Sequence, residues 1–175
     1  RGLIHFNAAM SDYLSPACLV DLPPACQSIV LPQRLMTAIR DRHIAFLPRL
    51  LLFWDLESNK EVTAKALQWL PRSLTKLIFS PRMVKELDDE TAKYLPPVLT
   101  ELDLSLNTIL TDNAIRWLPR PLTRLNLYWN TQLTDVAIPF LPRSLLYLNL
   151  GCCEKLTDEA TTHLPRRLLE LSIDA

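Results

Sequence analysis

Apolar residues recur along this chain in a two-part pattern, and the pattern itself repeats. Segment 99–121 reads LTELDLSLNTILTDNAIRWLPRP, 122–144 reads LTRLNLYWNTQLTDVAIPFLPRS, and 145–167 reads LLYLNLGCCEKLTDEATTHLPRR. Segment 51–73 is a fourth copy, and 168–175 opens another. Segments 26–50 and 74–98 fit the same frame with two more residues in the middle. Segment 1–25 obeys it more weakly, through Ile4, Phe6 and Leu22-Pro23-Pro24. The expected organisation is a single domain, 1–175, built of units 1–25, 26–50, 51–73, 74–98, 99–121, 122–144 and 145–167, with a partial unit 168–175.

Within a unit the apolar period changes. The fourth and sixth positions are apolar throughout, as in Trp54 and Leu56, Leu77 and Phe79, Leu102 and Leu104, Leu125 and Leu127, and Leu148 and Leu150. A period of two predicts a short strand with one buried face. Further on, Leu110, Ala114, Ile115 and Leu118, and likewise Leu133, Ala137, Ile138 and Leu141, fall on one face of about two helical turns. Thr111-Asp112, Thr134-Asp135 and Thr157-Asp158 place side-chain oxygens where such a helix opens. Leu-Pro then ends it, because proline cannot continue a helix and pushes the preceding residue toward an extended conformation. A strand and helix this short cannot bury their apolar faces alone, so the units must stack and share one core. The fold class expected is α/β: a solenoid with a curved parallel sheet on its concave side, short helices on its convex side, and a period of 23 to 25 residues.

Leu122-x-x-Leu125-x-Leu127-x-x-Asn130, with Leu99 to Asn107 in the same register, resembles the leucine-rich repeat signature. Cys153-x-x-Leu156-Thr157-Asp158 resembles its cysteine-containing subclass, familiar from F-box substrate receptors of ubiquitin ligases. The Leu-Pro-x-x-Leu joint is more similar to repeats of bacterial effectors and of some amoebal and giant-virus proteins. The resemblance implies that the ninth residue faces inward and ties adjacent turns together. Asn59, Asn107 and Asn130 suit that role, and Cys153 suits it as a weak donor. Ala9, Arg34 and Arg82 stand there in the three longer units, so the ladder is expected to be interrupted and the coil to bend at those units.

Family members generally bind macromolecules on the concave sheet, where the third, fifth and seventh positions form parallel rows. Here the first half of those rows is mostly apolar or small. The later half carries Glu101, Asp103, Arg124, Asn126, Tyr128, Trp129, Tyr147 and Asn149, a mixed polar and aromatic surface of the kind found at interface centres. The alternative for Tyr128 and Trp129 is packing over the rim of the core. A second row precedes each Leu-Pro: Phe46, Trp69, Tyr94, Trp117, Phe140 and His163, with Asp21 as the exception. These aromatics either pad the spaces between units or form an outer hydrophobic stripe. A third row, Arg49, Arg72, Arg120, Arg143 and Arg166, either holds phosphates or an acidic partner, or pairs with Asp112, Asp135 and Asp158 or lies solvated.

Composition narrows the choices. The charges balance, 19 basic against 19 acidic, so no global field draws the chain to nucleic acid or an anionic membrane. The apolar runs are too short for a membrane span. Two glycines exclude a glycine-rich phosphate loop. Cys18, Cys26, Cys152 and Cys153 lack metal spacing and read as thiols of a reducing, intracellular setting, with the cytoplasm expected. His5, His43 and His163 fall in different units, so no catalytic constellation, metal or cofactor is expected. The chain opens on Arg1 rather than Met, and an excerpt of a longer array, or an array capped by partners, is expected. Three readings follow. The first is a non-enzymatic module that recognises another protein on its concave face, as an adaptor or substrate receptor. The others are an architectural subunit of a large assembly, and a binder of polyanion or RNA through the arginine row.

Overall fold

The computed structural model describes residues 3–173; the outermost residues of the first and last units, 1–2 and 174–175, lie outside the described residues. Eight three-residue parallel strands run in chain order: β1 His5–Asn7, β2 Ser28–Val30, β3 Phe53–Asp55, β4 Lys76–Ile78, β5 Glu101–Asp103, β6 Arg124–Asn126, β7 Tyr147–Asn149 and β8 Glu170–Ser172. Each strand occupies positions three to five of its unit. The fourth-position row, including Trp54, Leu77, Leu102, Leu125 and Leu148, is buried beside the sixth-position row of Leu56, Phe79, Leu104, Leu127 and Leu150. Those two rows meet Leu70, Leu95, Leu118 and Leu141 of the Leu-Pro joints and the small residues of the convex segments in one continuous core.

The first unit sits two residues later than the sequence frame places it. β1 pairs His5 with Ser28, Phe6 with Ile29 and Asn7 with Val30, so Phe6 holds the fourth position and Ile4 is half exposed. Asn7 Oδ1 accepts from the Ala9 N–H at 3.1 Å. The fifth-position residues Asp55, Asp103, Asn126 and Asn149 accept in the same way from the N–H two residues on. The unit's ninth position is therefore Ser11, not Ala9, and its length is that of the short units.

The convex side is made of smaller pieces than two-turn α-helices. Four units use six-residue 3-10 helices, Pro16–Asp21, Ala64–Trp69, Asp135–Phe140 and Asp158–His163. The unit 99–121 uses the single α-turn α5, Asp112–Ile115. A 3-10 helix rises further per residue, so it crosses the convex side with fewer residues, and it tolerates Pro139 inside. The two long units instead hold two helices each, α1 Gln33–Ala38 with α2 Asp41–Ile44, and α3 Pro81–Glu86 with α4 Asp89–Ala92.

Those extra helices disturb the sheet just after each long unit. β1 and β2 form one sheet and β3 to β8 another. Between β4 and β5 the only paired position is Lys76 with Glu101. In the regular junctions the sixth-position N–H reaches the next strand's fifth-position carbonyl, as Leu104 does to Asn126 at 2.9 Å and Leu127 to Asn149 at 2.8 Å; the N–H groups of Leu31 and Phe79 make no such bond.

The ladder residues mend these joints from inside. Asn107 Nδ2 donates to the carbonyls of Val84 and Leu87 at 2.6 and 2.7 Å, and its Oδ1 accepts from the N–H groups of Ile109 and Leu110 at 2.9 and 2.8 Å. It thereby takes the open C-terminal carbonyls of α3 in the preceding turn. Asn59 does the same for α1, at Met36 and Ile39. After a short unit the bond goes elsewhere: Asn130 Nδ2 and Cys153 Sγ reach the sixth-position carbonyls of Leu104 and Leu127, at 2.9 and 3.2 Å. Asn130 Oδ1 is left buried with no partner. The expected interruption at the long units is borne out in one respect, since Arg34 and Arg82 point outward, but they still bridge turns through the carbonyls of Asp12 and Lys60 at 3.2 and 3.0 Å.

The eighth position of the last full units is strained. Leu106, Trp129 and Cys152 have φ of 63°, 58° and 57°, a left-handed conformation, and none is glycine. Gly151 stands one position too early to relieve it.

Melting temperatures of three variants test this arrangement. Asn107→Ala leaves the Leu87 carbonyl and the N–H groups of Ile109 and Leu110 without this partner, while Val84 keeps the Leu87 N–H, and is expected to cost about 3 kcal/mol, lowering the melting temperature by on the order of 6–12 °C. Arg82→Ala, on the outside at the same repeat position, should leave it within about 2 °C. Leu106→Asn, which suits the left-handed conformation, should raise the melting temperature by a few degrees; a fall would show that the leucine's packing outweighs its strain.

Candidate functional site

The third- and fifth-position rows of β4 to β8 line a concave groove of about 630 Å³. Its polar wall is internally ordered. Lys76 Nζ lies 3.5 Å from Glu101 Oε2, Asn126 Nδ2 donates to Asp103 Oδ2 at 3.0 Å, and the Arg124 guanidinium stacks on the Tyr147 ring at 3.8 Å. Each link joins neighbouring strands, because parallel in-register pairing sets Lys76 beside Glu101, Asp103 beside Asn126 and Arg124 beside Tyr147. The fifth-position side chains are partly committed, since one oxygen each of Asp103, Asn126 and Asn149 closes the turn after its strand.

Where β4 and β5 separate, the groove gains an apolar floor. Phe79, Pro81 and Val84 of the long unit and Leu106 of the next line it there, with Lys85 and Glu57 at its edge. This end was not legible as a site in the sequence, where only the later polar row stood out. The available signal was the two-residue insertion in unit 74–98, which starts α3 directly after the strand.

Of the sequence-predicted contact residues, Glu101, Asp103, Arg124, Asn126, Tyr147 and Asn149 come together in the groove. Tyr128 and Trp129 do not line it. They sit on the turn beyond β6, with ring centroids 6.1 Å apart, and Trp129 is held by its own N–H on the Gly151 carbonyl at 2.9 Å. The Cys152 side chain beside Tyr128 holds its phenol above the usual range. Burial likewise raises the Cys153 thiol.

The family model described as Leucine Rich repeat matches residues 96–116 and 142–160. Among solved structures, the crystal structure of the Rad7 and Elc1 complex in yeast superposes with a TM-score of 0.64 at 20% identity, covering 91% of this chain and 44% of that one. The leucine-rich repeat-containing protein LegL7 from Legionella pneumophila superposes with a TM-score of 0.51 at 15% identity, covering 97% and 65%. The fold is that of a leucine-rich repeat solenoid. The chain spans less than two thirds of either structural neighbour's length. No curated protein sequence matches it.

Three arginines of the row Arg49, Arg72, Arg120, Arg143 and Arg166 reach the next turn. Arg72, Arg120 and Arg143 donate to the carbonyls of Tyr94, Phe140 and His163 at 2.9, 3.4 and 3.3 Å, each reaching the end of the next unit's convex segment. None of the three is ion-paired with Asp112 or Asp135, whose carboxylates hold the next unit's threonine. Asp112 accepts from Thr134 N–H and Oγ1 at 2.8 and 2.7 Å, and Asp135 from Thr157 at 2.9 and 2.7 Å. Asp41 with Thr63 and Asp89 with Thr111 complete the series. The one unit with an acid at the threonine place, Asp88, follows the one with Ala64 at the aspartate place, so no two carboxylates face each other across that joint. Among the described residues no helix is long and apolar enough to cross a membrane, and no cluster of His, Cys, Asp or Glu could hold a metal ion.

The Thr157 N–H and hydroxyl hold the Asp135 carboxyl below its usual range, and Thr91 does the same for Asp88. A folded-state value depressed below the unfolded one adds stability above about pH 4 that is lost as pH falls through the folded value. Thermal melting against pH should therefore show a modest loss below about pH 4, and Asp135→Asn should make that loss shallower.

Proposed function

We propose that this leucine-rich repeat solenoid is a non-enzymatic recognition module that holds a segment of another protein in its concave groove. The observation that carries the reading is the groove itself: a preformed surface across β4 to β8 that joins an apolar floor at Phe79, Val84 and Leu106 to a polar wall ending in the stacked Arg124 and Tyr147. An arginine stacked on a tyrosine is ordered before any partner arrives, so less rotamer entropy is lost on binding. Mixed charge around the apolar floor suits a partner segment with one bulky apolar side chain flanked by both signs of charge. An adaptor or substrate-receptor role is the finer form of this reading. Rad7, which shares the fold, is seen in a complex with Elc1, and that likeness supports the reading through the fold alone.

Selection of displayed peptides on the immobilised chain tests it. Bound sequences are expected to lose about 30-fold or more in affinity with Arg124→Ala or Tyr147→Ala, and little with Tyr128→Ala, which lies outside the groove. Binders indifferent to Arg124 and Tyr147, or an absence of binders, would remove the reading.

A further inference from the structure

The outer rows combine in a way that neither shows alone. Phe46, Trp69, Tyr94 and Trp117 stand just before successive Leu-Pro joints, each between 44% and 51% exposed. They therefore do more than pad the gaps between units. Beside them runs a line of cations, two of which lie over the next unit's ring: Lys93 Nζ is 5.7 Å from the Trp117 ring centre, and the Arg116 guanidinium is 4.0 Å from that of Phe140.

Four guanidiniums of this ridge are in no ion pair among the described residues, while Lys93 is paired with Glu90. Among the described residues the ion pairs are Arg40 with Glu61, Lys76 with Glu101, Arg82 with Glu86 and Lys93 with Glu90. Arg72, Arg116, Arg120 and Arg143 are in none of them. Arg72, Arg120 and Arg143 each give one N–H to a carbonyl of the next turn, and Arg143 gives a second to the Pro139 carbonyl of its own turn, leaving donors of the five-pronged guanidinium pointing elsewhere.

We propose that this convex ridge is a second binding surface, for single-stranded nucleic acid. Its bases would stack on the exposed rings and its phosphates would lie along the guanidiniums. Aromatic faces alternating with cations along a track, without a pocket that reads base edges, is the arrangement that binds single strands with little sequence preference. An acidic protein segment would use the cations and leave the rings idle. The surface is distinct from the concave groove, so it stands independently of the protein-recognition reading.

The probes are a fluorescein-labelled oligouridylate and an oligothymidylate of about fifteen nucleotides, titrated with the full chain and followed by anisotropy and tryptophan emission. Binding at about 50 mM salt that weakens linearly in log–log form as salt rises, with quenched tryptophan emission, is expected. Trp69→Leu with Trp117→Leu should weaken it about tenfold or more. Arg116→Gln, which leaves the core untouched, should weaken binding and reduce the salt slope, and it serves as the test if the leucine variant melts early. No binding at low salt, or binding that ignores both variants, would overturn the proposal. So would polyglutamate binding as tightly as the oligonucleotides and surviving the leucine substitutions, which would assign the ridge to an acidic protein segment.

Discussion

No turn of this coil can satisfy its own polar backbone, and the structure follows from how each turn satisfies its neighbour's. At Asn107 one buried amide closes four backbone groups, two in its own turn and two at the end of α3 in the turn before. Burying those groups unpaired would cost more than the hydrophobic gain of any single leucine in the row. The leucines supply the bulk of the burial, and the inward polar residue determines that turns stack in one register.

Two more sets of inter-turn bonds run outside the core. Aspartates at the helix openings hold the next turn's threonines, and arginines after the Leu-Pro joints hold the next turn's carbonyls. The division of labour bears on function. The carboxylates stay charged with both oxygens held by threonine, whereas the guanidiniums spend one or two donors of five and keep the rest for a partner. On the concave side the third-position residues bond only to one another and remain available to a partner.

The repeat was legible because period two and the Leu-Pro joint are local, and the same six or seven positions recur in every unit. The first unit's register was open in the sequence, because counting back from Leu22-Pro23 gives Leu3 for a 23-residue unit and residue 1 for a 25-residue one, and the alternation of Ile4 and Phe6 favours the second. The partners of Arg72, Arg120 and Arg143 lie a whole turn away and are backbone atoms, so no side-chain pattern announces them. The apolar floor between β4 and β5 was equally hidden, since Phe79 and Val84 read as ordinary core residues until α3 parts the strands.

The long units thus act as joints in an otherwise regular coil: α1 and α3 interrupt strand pairing, and Asn59 and Asn107 hold the turns together from within. Native-state hydrogen exchange at two equivalent amides tests this most directly. Leu104 N–H, bonded to the Asn126 carbonyl across a regular junction, should exchange only through unfolding of the coil, while Phe79 N–H, at the same repeat position beside α3, should exchange far faster through local opening, with Leu110 N–H on Asn107 as slow as Leu104. Equal protection of Phe79 and Leu104, or fast exchange at Leu110, would contradict the account.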